Sequence, residues 1–337
     1  MQLPPLSELL DSMRVVQLPL RTTFRDLSVR ELVLFEGPAG WGEFAPFTDH
    51  TLEHSATWLS AAIEAAYREY PAPVRASVPV NAIVPMLAAD AVEDWVLRIA
   101  QSTGVTTFKM KCGSADFRDD VSRIDELIYT LDHNVSHESK IRLDINGAWS
   151  VDQAIEHIRT IEDMCGSRLE YVEQPVSSLA DCAVIREQIK TPIAIDEGVR
   201  LLADARLHVS AIRAAGDIAI LKAIPLGGVQ RALDIAAELD MPCVVSGSMD
   251  SSIGLTQGIA LAAALPSLEY ACGFLTGSLL AEDVVSETLL PRDGVINVGR
   301  LVPNETLLAA RSSGVDSATK NYWRERLIAC YEVLEAA

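Results

Sequence analysis

The sequence of 337 residues predicts an α/β fold, a TIM-like (β/α) barrel with an α+β capping domain. Between residues 76 and 275, a short apolar run followed by a helical pattern recurs eight times, at intervals of roughly 20 to 35 residues. The first 75 residues have a different pattern, and the chain length suits one barrel of roughly 250 residues plus a smaller piece. No glycine-rich dinucleotide motif supports the alternative, an open doubly wound sheet.

Residues 1–75 are expected to form the capping domain. Residues 29–35 are rich in apolar and β-branched side chains and predict a strand. Gly37-Pro38-Ala39-Gly40 predicts the turn of a hairpin that returns along residues 41–44, and residues 52–70 show helical spacing. A further strand within residues 293–302 is expected to rejoin this segment. We therefore expect a C-terminal return, about 280–337, to complete the cap around a barrel formed by 76–279.

The eight apolar runs of the barrel each end in polar residues. They are residues 77–84, 106–111, 141–146, 169–174, 193–197, 218–223, 243–248 and 270–274. Helical patterns lie between them, as in residues 151–165 and 229–239. The charge-free stretch 251–268 contains hydroxyl residues and a proline, so it favours a buried helix over a membrane span.

The composition excludes several functional classes. Lysine and arginine total 28 against 47 aspartates and glutamates, a net charge of −19, which argues against a nucleic acid partner. The apolar fraction of 49% supports a large core and argues against disorder. The N-terminus lacks the pattern of a secretory signal. Six cysteines without a CxxC pair predict buried reduced thiols, and we therefore expect a cytoplasmic protein. We also expect no membrane partner.

Polar residues at the ends of the predicted strands are the candidate functional groups, because barrel active sites lie at the C-terminal ends of the strands. They are Lys109, Lys111, Arg142, Asp144, Asn146, Glu173, Asp196, Glu197, Lys222, Ser246 and Ser248. Among them, Asp144, Glu173 and Asp196 end three successive strands and offer oxygen donors that suit a hard cation, Mg²⁺ or Mn²⁺. The competing interpretation is three exposed or ion-paired acids.

Two lysines are expected to enter the mouth of the barrel together. Strand alternation places Lys109 and Lys111 on one face and Phe108 and Met110 on the other. Inward charges in a barrel strand need each other, a metal or a ligand. Because two ammonium groups at this spacing repel each other, we expect the pKa of one lysine to fall, so that it can act as a base. Lys222 would face it from across the barrel.

These motifs resemble the enolase superfamily, in its muconate-lactonising subgroup. The matching segments are Lys109-Met110-Lys111, Leu143-Asp144-Ile145-Asn146-Gly147, Tyr171-Val172-Glu173-Gln174-Pro175, Ile195-Asp196-Glu197 and Ile220-Leu221-Lys222. Their order and strand placement agree with the superfamily throughout residues 106–225. Residues 217–228, 244–254 and 271–273 are similar to the actinobacterial type of the o-succinylbenzoate synthase family, and residues 40–46 are similar to its first domain.

The resemblance implies a lyase of menaquinone biosynthesis, a metal-assisted syn-dehydratase. Its substrate would be SHCHC, a cyclohexadiene hydroxy-acid with a succinyl chain, and its product 2-succinylbenzoate. Following the known chemistry of the superfamily, Lys111 would remove the proton alpha to the ring carboxylate and then protonate the departing hydroxyl. Lys222 would stabilise the intermediate as a cation, and Lys109 would lower the pKa of Lys111 and contact the carboxylate.

The same resemblance implies the cofactor and the substrate contacts. A divalent cation, Mg²⁺ or Mn²⁺, would bind Asp144, Glu173 and Asp196 and hold the enediolate. The small-molecule dicarboxylate substrate would be contacted by Lys109, Arg142, Asn146, Ser246, Gly247 and Ser248, the last three on the succinyl side. A purely structural role is the alternative for Arg142 and Asn146. Cap loops near 21–26 and 47–54 are expected to close over the ligand.

Two other functions stay open. An N-succinylamino-acid racemase or a dipeptide epimerase of the same subgroup would use Lys111 and Lys222 as opposed acid and base. A non-catalytic barrel is a second alternative, although buried charges without a function to retain them cost stability. Gly198 and Gly247 depart from residues that are common in the family, which bears on substrate selection. The sequence does not distinguish a monomer from a homo-oligomer.

Overall fold

The structure is a computed structural model that describes residues 3–24, 27–201 and 205–337. Its strands are β1 (Arg14–Phe24), β2 (Leu27–Gly37), β3 (Gly40–Phe44), β4 (Ser77–Pro79), β5 (Ala82–Val84), β6 (Thr107–Lys111), β7 (Lys140–Asp144), β8 (Leu169–Glu173), β9 (Ile193–Ile195), β10 (Ile218–Leu221), β11 (Cys243–Val245) and β12 (Val295–Asn297). Its α-helices are α1 (Leu6–Ser12), α2 (Leu52–Tyr67), α3 (Val92–Thr103), α4 (Phe117–Thr130), α5 (Val151–Cys165), α6 (Leu179–Arg186), α7 (Glu197–Arg200), α8 (Val209–Ala215), α9 (Val229–Leu239), α10 (Ser252–Ala264), α11 (Glu305–Ser313) and α12 (Ser317–Ala336).

The N-terminal region forms an antiparallel sheet in the order β1-β2-β3, with α2 packed against it. The predicted hairpin is confirmed, since Gly37 pairs with Gly40 at the turn. Gly40 has a φ of 141°, a conformation that glycine adopts at little cost. At Gly42, a Cβ would come within 2.1 Å of the Ala62 carbonyl oxygen. This glycine therefore permits the close approach of α2 to β3.

The central region forms a seven-stranded parallel sheet in the order β11-β10-β9-β8-β7-β6-β5. Seven of the predicted apolar runs contribute these strands. At the eighth run, 270–274, the described backbone makes two isolated parallel bridges, Val80 with Cys272 and Ser246 with Gly273. These bridges lie beside β5 and β11, the two edge strands of the sheet. The first predicted run, 77–84, is divided between β4 and β5.

Alternation along β6 and β7 separates an apolar outer face from a polar inner one. Phe108 and Met110 of β6 are fully buried in the core beneath the surrounding helices, as predicted, and so are Ile141 and Leu143 of β7. Helix α5 begins with a capping box, in which Ser150 and Gln153 satisfy each other's backbone N–H groups. Strands covered on both faces leave their inward polar side chains to pair with one another or with a ligand.

The C-terminal region returns to the N-terminal sheet through helix α12, and its strand β12 pairs with β4. Helix α12 buries Trp323 and Leu327 in one apolar cluster with Phe44 and Trp58. The strand predicted within 293–302 is β12, but it does not rejoin the N-terminal sheet. It pairs with β4, which places Ile296 opposite Val78 with both side chains buried. This register buries both apolar side chains.

The charge-free stretch and the cysteines behave as predicted. Helix α10 is buried along almost its whole length. Among the described helices, none combines the length and the apolar character that a membrane crossing requires. All six cysteines are free thiols with buried side chains.

Glu43 links the N-terminal sheet to the helix that follows β11. Its buried carboxylate accepts hydrogen bonds from the backbone N–H groups of Ser251 and Gly254, each at 3.2 Å, and from the Ser251 hydroxyl. These N–H groups belong to the first turn of α10, which has no other intrahelical acceptor for them. A carboxylate at this end of a helix is also favoured by the helix dipole.

Replacing Glu43 by alanine is expected to lower the free energy of unfolding by about 2–4 kcal/mol, because buried donors lose their acceptor. The measurement is urea denaturation followed by circular dichroism. Glu305→Ala, in the exposed first turn of α11, is the matched control and should change stability by less than about 0.5 kcal/mol. A loss below about 1 kcal/mol for the Glu43 variant would contradict this account of how the two regions are joined.

Candidate active site

A cavity lies at the C-terminal ends of the parallel strands, between the strand ends and the first region of the chain. Its lining comes from three parts of the molecule. They are Phe47, His50 and Trp58 near α2; Ile83, Lys109, Lys111, Asp144, Asp196, Arg200, Lys222 and Pro225 at or after β5 to β10; and Ser246, Gly247, Ser248, Met249 and Thr276 beyond β11. The cavity therefore contains four cationic side chains and two carboxylates.

The predicted lysines and acids form one chain of buried ion pairs. The Lys111 ammonium lies 2.7 Å from Asp144 Oδ2, and the Lys109 ammonium lies 3.2 Å from the same oxygen. Lys109 also donates to both oxygens of Glu173, at 2.8 and 3.0 Å. The parallel register sets Lys111, Asp144 and Glu173 side by side on β6, β7 and β8, which explains why their side chains meet.

Two further ion pairs of the site lie at the ends of β9 and β10. The Lys222 ammonium is 2.7 Å from Asp196 Oδ2, and the Arg200 guanidinium is 3.0 Å from Asp196 Oδ1. Both oxygens of this carboxylate are thus neutralised in a buried position. Arg200 also pairs with Glu197 at 2.8 Å, so the three lysines and Arg200 balance Asp144, Glu173, Asp196 and Glu197 and the group has no net charge.

The protonation energetics of these groups follow from burial and from the carboxylates. Burial lowers the pKa of Lys109, but Glu173 and Asp144 outweigh it, so this pKa lies above its ordinary value. Burial lowers the pKa of Lys222 below its ordinary value, and Asp196 offsets only part of the effect. Burial also disfavours the Asp144 anion, yet Lys111 and Lys109 hold the pKa of this carboxyl well down.

The electrostatic interactions of Lys109 and Lys111 differ from those expected from the sequence. Repulsion between Lys109 and Lys111 was expected to dominate, but both ammonium groups contact Asp144, which offsets that repulsion.

The pKa of Glu173 shifts in the opposite direction from those of Asp144 and Asp196. Burial, together with the neighbouring Asp144 charge, raises the pKa of Glu173 to about 7, and the Lys109 ammonium only partly opposes this shift.

Asn146 fixes the position of the Lys111 ammonium. Its Oδ1 accepts a hydrogen bond from Lys111 Nζ at 2.6 Å, while its Nδ2 donates to Glu197 Oε1 at 3.1 Å. Asn146 has a φ of 50°, and Gln174, one strand along, has a φ of 41°. Left-handed backbone at two adjacent strand ends costs free energy and is concentrated at functional sites. The structure thus gives Asn146 contacts to two site residues.

The segment after β11 forms the opposite wall of the cavity. Ser246, Gly247 and Ser248 all line it, where the sequence predicts the succinyl side of a ligand. The Ser246 hydroxyl donates to the Gly273 carbonyl at 3.3 Å, and the Ser248 backbone N–H donates to Asp250 at 2.7 Å. The Ser248 hydroxyl is buried without a hydrogen-bond partner among the described residues.

Arg142 does not belong to this cavity, and the expectation that it contacts the substrate is not supported by its position. Its side chain is 0% exposed. The guanidinium donates to Glu170 at 2.7 Å, to Asn81 at 3.0 Å and to the Ala271 carbonyl at 2.6 Å, and it lies over the Tyr171 ring. Arg142 precedes Asp144 by two residues, so it lies roughly 6.6 Å deeper along the same inward face.

Several lining residues were missed by the sequence reasoning. Arg200 lies four residues after Asp196, a spacing that brings two side chains together on one face of a helix and could have indicated the pair. Thr276 follows the eighth apolar run and carries no sequence signal. Of the two cap loops expected to cover the ligand, 47–54 supplies Phe47 and His50 to the lining. In the other loop, residues 25 and 26 lie outside the described residues.

Comparison with known proteins identifies the family. Residues 91–303 match the enolase C-terminal domain-like family, and residues 15–66 match the enolase N-terminal domain-like family. An o-succinylbenzoate synthase from Mycolicibacterium smegmatis is 42% identical over 335 residues, which covers 98% of both chains. The chain belongs to the o-succinylbenzoate synthase family of the enolase superfamily. The family's Mycobacterium leprae o-succinylbenzoate synthase is 41% identical, over 98% of this chain and 95% of the relative.

A solved structure with much lower sequence identity has the same fold as this member of the synthase family. N-succinyl Arg/Lys racemase from Bacillus cereus superimposes with a TM-score of 0.74, covering 89% of this chain and 96% of the racemase, at 18% identity. At this level of identity the likeness concerns the fold alone. The predicted α/β fold of the enolase superfamily is therefore confirmed at the level of a parallel sheet with surrounding helices.

Membership of the enolase superfamily implies a divalent metal ion, and the residues present fit one in their chemistry. The candidate ligands are three buried carboxylates at adjacent strand ends, and Asp144 Oδ1 is buried without a hydrogen-bond partner among the residues that the structure describes. In residues 3–24, 27–201 and 205–337, no three His, Cys, Asp or Glu side chains are grouped closely enough to hold an ion. The Lys109 ammonium instead bridges Asp144 and Glu173 as the local cation.

Proposed function

We propose that this chain dehydrates SHCHC to 2-succinylbenzoate in menaquinone biosynthesis, as a carbon–oxygen lyase. The observation that carries the proposal is the buried group of three lysines and three carboxylates at the strand ends, in a chain of the o-succinylbenzoate synthase family. Such a site offers a base beside fixed ammonium groups, which is what proton abstraction next to a carboxylate requires. A non-catalytic protein has no use for this arrangement.

Lys111 is the residue we assign as the base. Its side chain is 16% exposed, against 8% for Lys109, so it is the more accessible of the two lysines on β6. Asp144 and Asn146 hold its Nζ from two sides and thereby fix its direction. The neutral amine would take the proton alpha to the ring carboxylate, and the resulting ammonium would give that proton to the departing hydroxyl. One side chain thus serves both steps on one face of the ring.

Lys109 and Lys222 supply fixed positive charge in this proposal. Lys109 is held as an ammonium by two carboxylates, so it is suited to attract the ring carboxylate and not to exchange protons. Lys222 pairs with Asp196 after β10 and β9. From this position it would stabilise the negative charge that develops on the substrate. Asn146 is the positioning residue for Lys111.

Asp144, Glu173 and Asp196 would hold the divalent cation, for which we propose Mg²⁺, with Mn²⁺ as a substitute. When bound, the cation supplies positive charge that stabilises the enediolate form of the substrate carboxylate. The charges of the site support this assignment. A cation of charge +2 and a substrate with two carboxylates offset each other, so their joint binding leaves the net charge of the buried site unchanged.

We also infer the finer organisation of the chain. The bridges at Cys272 and Gly273 support residues 270–274 as the eighth element of a closed barrel over 76–279. The packing of α12 on α2 supports a capping domain of 1–75 joined by about 280–337. Buried free thiols support the cytoplasm as its location.

A racemase or epimerase is not favoured, because the curated relatives that cover almost the whole chain are named o-succinylbenzoate synthases. The test compares two reactions of the purified, Mg²⁺-loaded protein. We expect 2-succinylbenzoate to form from SHCHC, and we expect a chelator to abolish its formation until Mg²⁺ is restored. Deuterium exchange into N-succinyl amino acids without any dehydration would contradict the proposal, and so would full dehydration activity in chelator.

A further inference from the structure

Two hydroxyl groups in the cavity have no hydrogen-bond partner among the described residues, although both are buried. They are Ser248 Oγ, after β11, and Thr276 Oγ1, in the turn that follows the eighth apolar run. The Thr276 side chain is 5% exposed. A buried hydroxyl without a partner costs free energy, so native proteins rarely retain one unless a ligand or water completes it.

Gly247 makes room for the Thr276 hydroxyl. A Cβ at position 247 would lie 3.0 Å from Thr276 Oγ1 and 2.8 Å from a methyl carbon of Leu255. Any side chain at this position would therefore crowd the hydroxyl or displace the loop. Glycine therefore leaves the Thr276 hydroxyl uncrowded on this side.

The position of these hydroxyls determines which part of the substrate they can contact. This step rests on the proposed function. The ring carboxylate belongs with the lysines and acids on β6, β7 and β8, whereas Ser248 and Thr276 lie beyond β11. In the order of the sheet, β9 and β10 separate β11 from that group. The acyl chain of the substrate, which leaves the ring beside the ring carboxylate, can bridge this separation.

We propose that the Thr276 hydroxyl, together with Ser248, donates a hydrogen bond to the terminal carboxylate of the substrate's acyl chain and so determines substrate specificity. A carboxylate is a stronger acceptor than the chain's ketone, and it has enough lone pairs for both hydroxyls. Thr276 is a binding residue in this proposal and takes no part in proton transfer.

The test measures ligand binding by the variants Thr276→Val and Thr276→Ser. Valine keeps the shape of the side chain and removes the hydroxyl, whereas serine keeps the hydroxyl. The ligands are 2-succinylbenzoate and 2-butyrylbenzoate, which lacks the terminal carboxylate, titrated calorimetrically into the Mg²⁺-loaded protein. We expect the valine variant to bind 2-succinylbenzoate about 10- to 100-fold more weakly. Its affinity for 2-butyrylbenzoate should equal that of the unmodified protein, and the serine variant should bind both ligands normally.

Thermal unfolding without ligand separates binding from folding. Because the hydroxyl has no hydrogen-bond partner in the part of the chain that the structure describes, valine should leave the melting temperature unchanged or raise it. A marked fall in melting temperature would show that the hydroxyl has a structural partner and would overturn the inference. Equal weakening for both ligands, or none, would overturn it as well.

The result for the unmodified protein keeps this inference distinct from the proposed function. If the unmodified protein dehydrates SHCHC and binds 2-succinylbenzoate but the valine variant binds equally well, only the role of Thr276 is wrong. If the unmodified protein neither dehydrates SHCHC nor binds 2-succinylbenzoate, both the function and this subsite are wrong.

Discussion

Replacing Lys111 by alanine is expected to reduce kcat for SHCHC dehydration by about 10²- to 10⁴-fold, the range attributed to a positioned general base. The physical reason is that the variant loses the only group that we assign to both proton transfers. The other ion pairs of the site, Lys109 with Glu173 and Lys222 with Asp196, stay in place. The measurement is steady-state formation of 2-succinylbenzoate with Mg²⁺ present.

The control for this variant is Lys140→Ala. Lys140 begins β7, at the opposite end of the strand from Asp144, and its ammonium donates a long hydrogen bond, 3.4 Å, to the Ser167 carbonyl. Its loss should leave kcat within about threefold of the unmodified protein. Product binding by Lys111→Ala should also persist, because ground-state contacts from Lys109 remain. If Lys111→Ala retains turnover comparable with the control, the base has been assigned to the wrong residue.

Replacing Asp196 by asparagine is expected to lower kcat/KM by about 10²- to 10³-fold, comparable with the loss of a major electrostatic group. The carboxylate is our proposed metal ligand, and it also neutralises Lys222 and Arg200 at 2.7 and 3.0 Å. Losing it gives the buried site one positive charge in excess, beside Lys222 and Arg200, and this charge repels a divalent cation. We therefore expect the Mg²⁺ concentration needed for half-maximal activity to rise by at least about tenfold.

The comparison for Asp196→Asn is Asp240→Asn, which makes the same change in charge at the surface. The Asp240 side chain is 85% exposed, and its φ of 43° is one that asparagine tolerates. This variant should keep the Mg²⁺ dependence of the unmodified protein. Calorimetric titration of Mg²⁺ gives a readout independent of turnover. An unchanged Mg²⁺ affinity in Asp196→Asn would remove this residue from the metal site.

Much of the architecture could be predicted because the local pattern and the tertiary environment agree. The period of two in Phe108-Lys109-Met110-Lys111 separates core from cavity in the sequence, and the structure buries Phe108 and Met110 as that period requires. The hairpin at Gly37–Gly40 has the same origin, since a tight turn needs residues that tolerate its backbone angles.

Pairing between distant segments could not be predicted from local pattern. The strand β12 has the composition of a strand, but its partner β4 lies more than two hundred residues away, and its alternation is compatible with either sheet. The eighth apolar run likewise makes only isolated bridges. Hydrogen-bond partners of this kind depend on which edges remain open after the rest of the chain has packed.

The sequence by itself determined which residue types end the strands and which face each one occupies, because side-chain direction along a strand follows from its period. It could not determine depth, since Arg142 and Asp144 share a face yet one is buried in an ion pair with Glu170 and the other lines the cavity. Only the tertiary structure decided which groups meet. It placed Asp144 between two ammonium groups, Arg200 against Asp196, and Thr276 beside Gly247, because such contacts join segments that strand period and helical spacing treat separately.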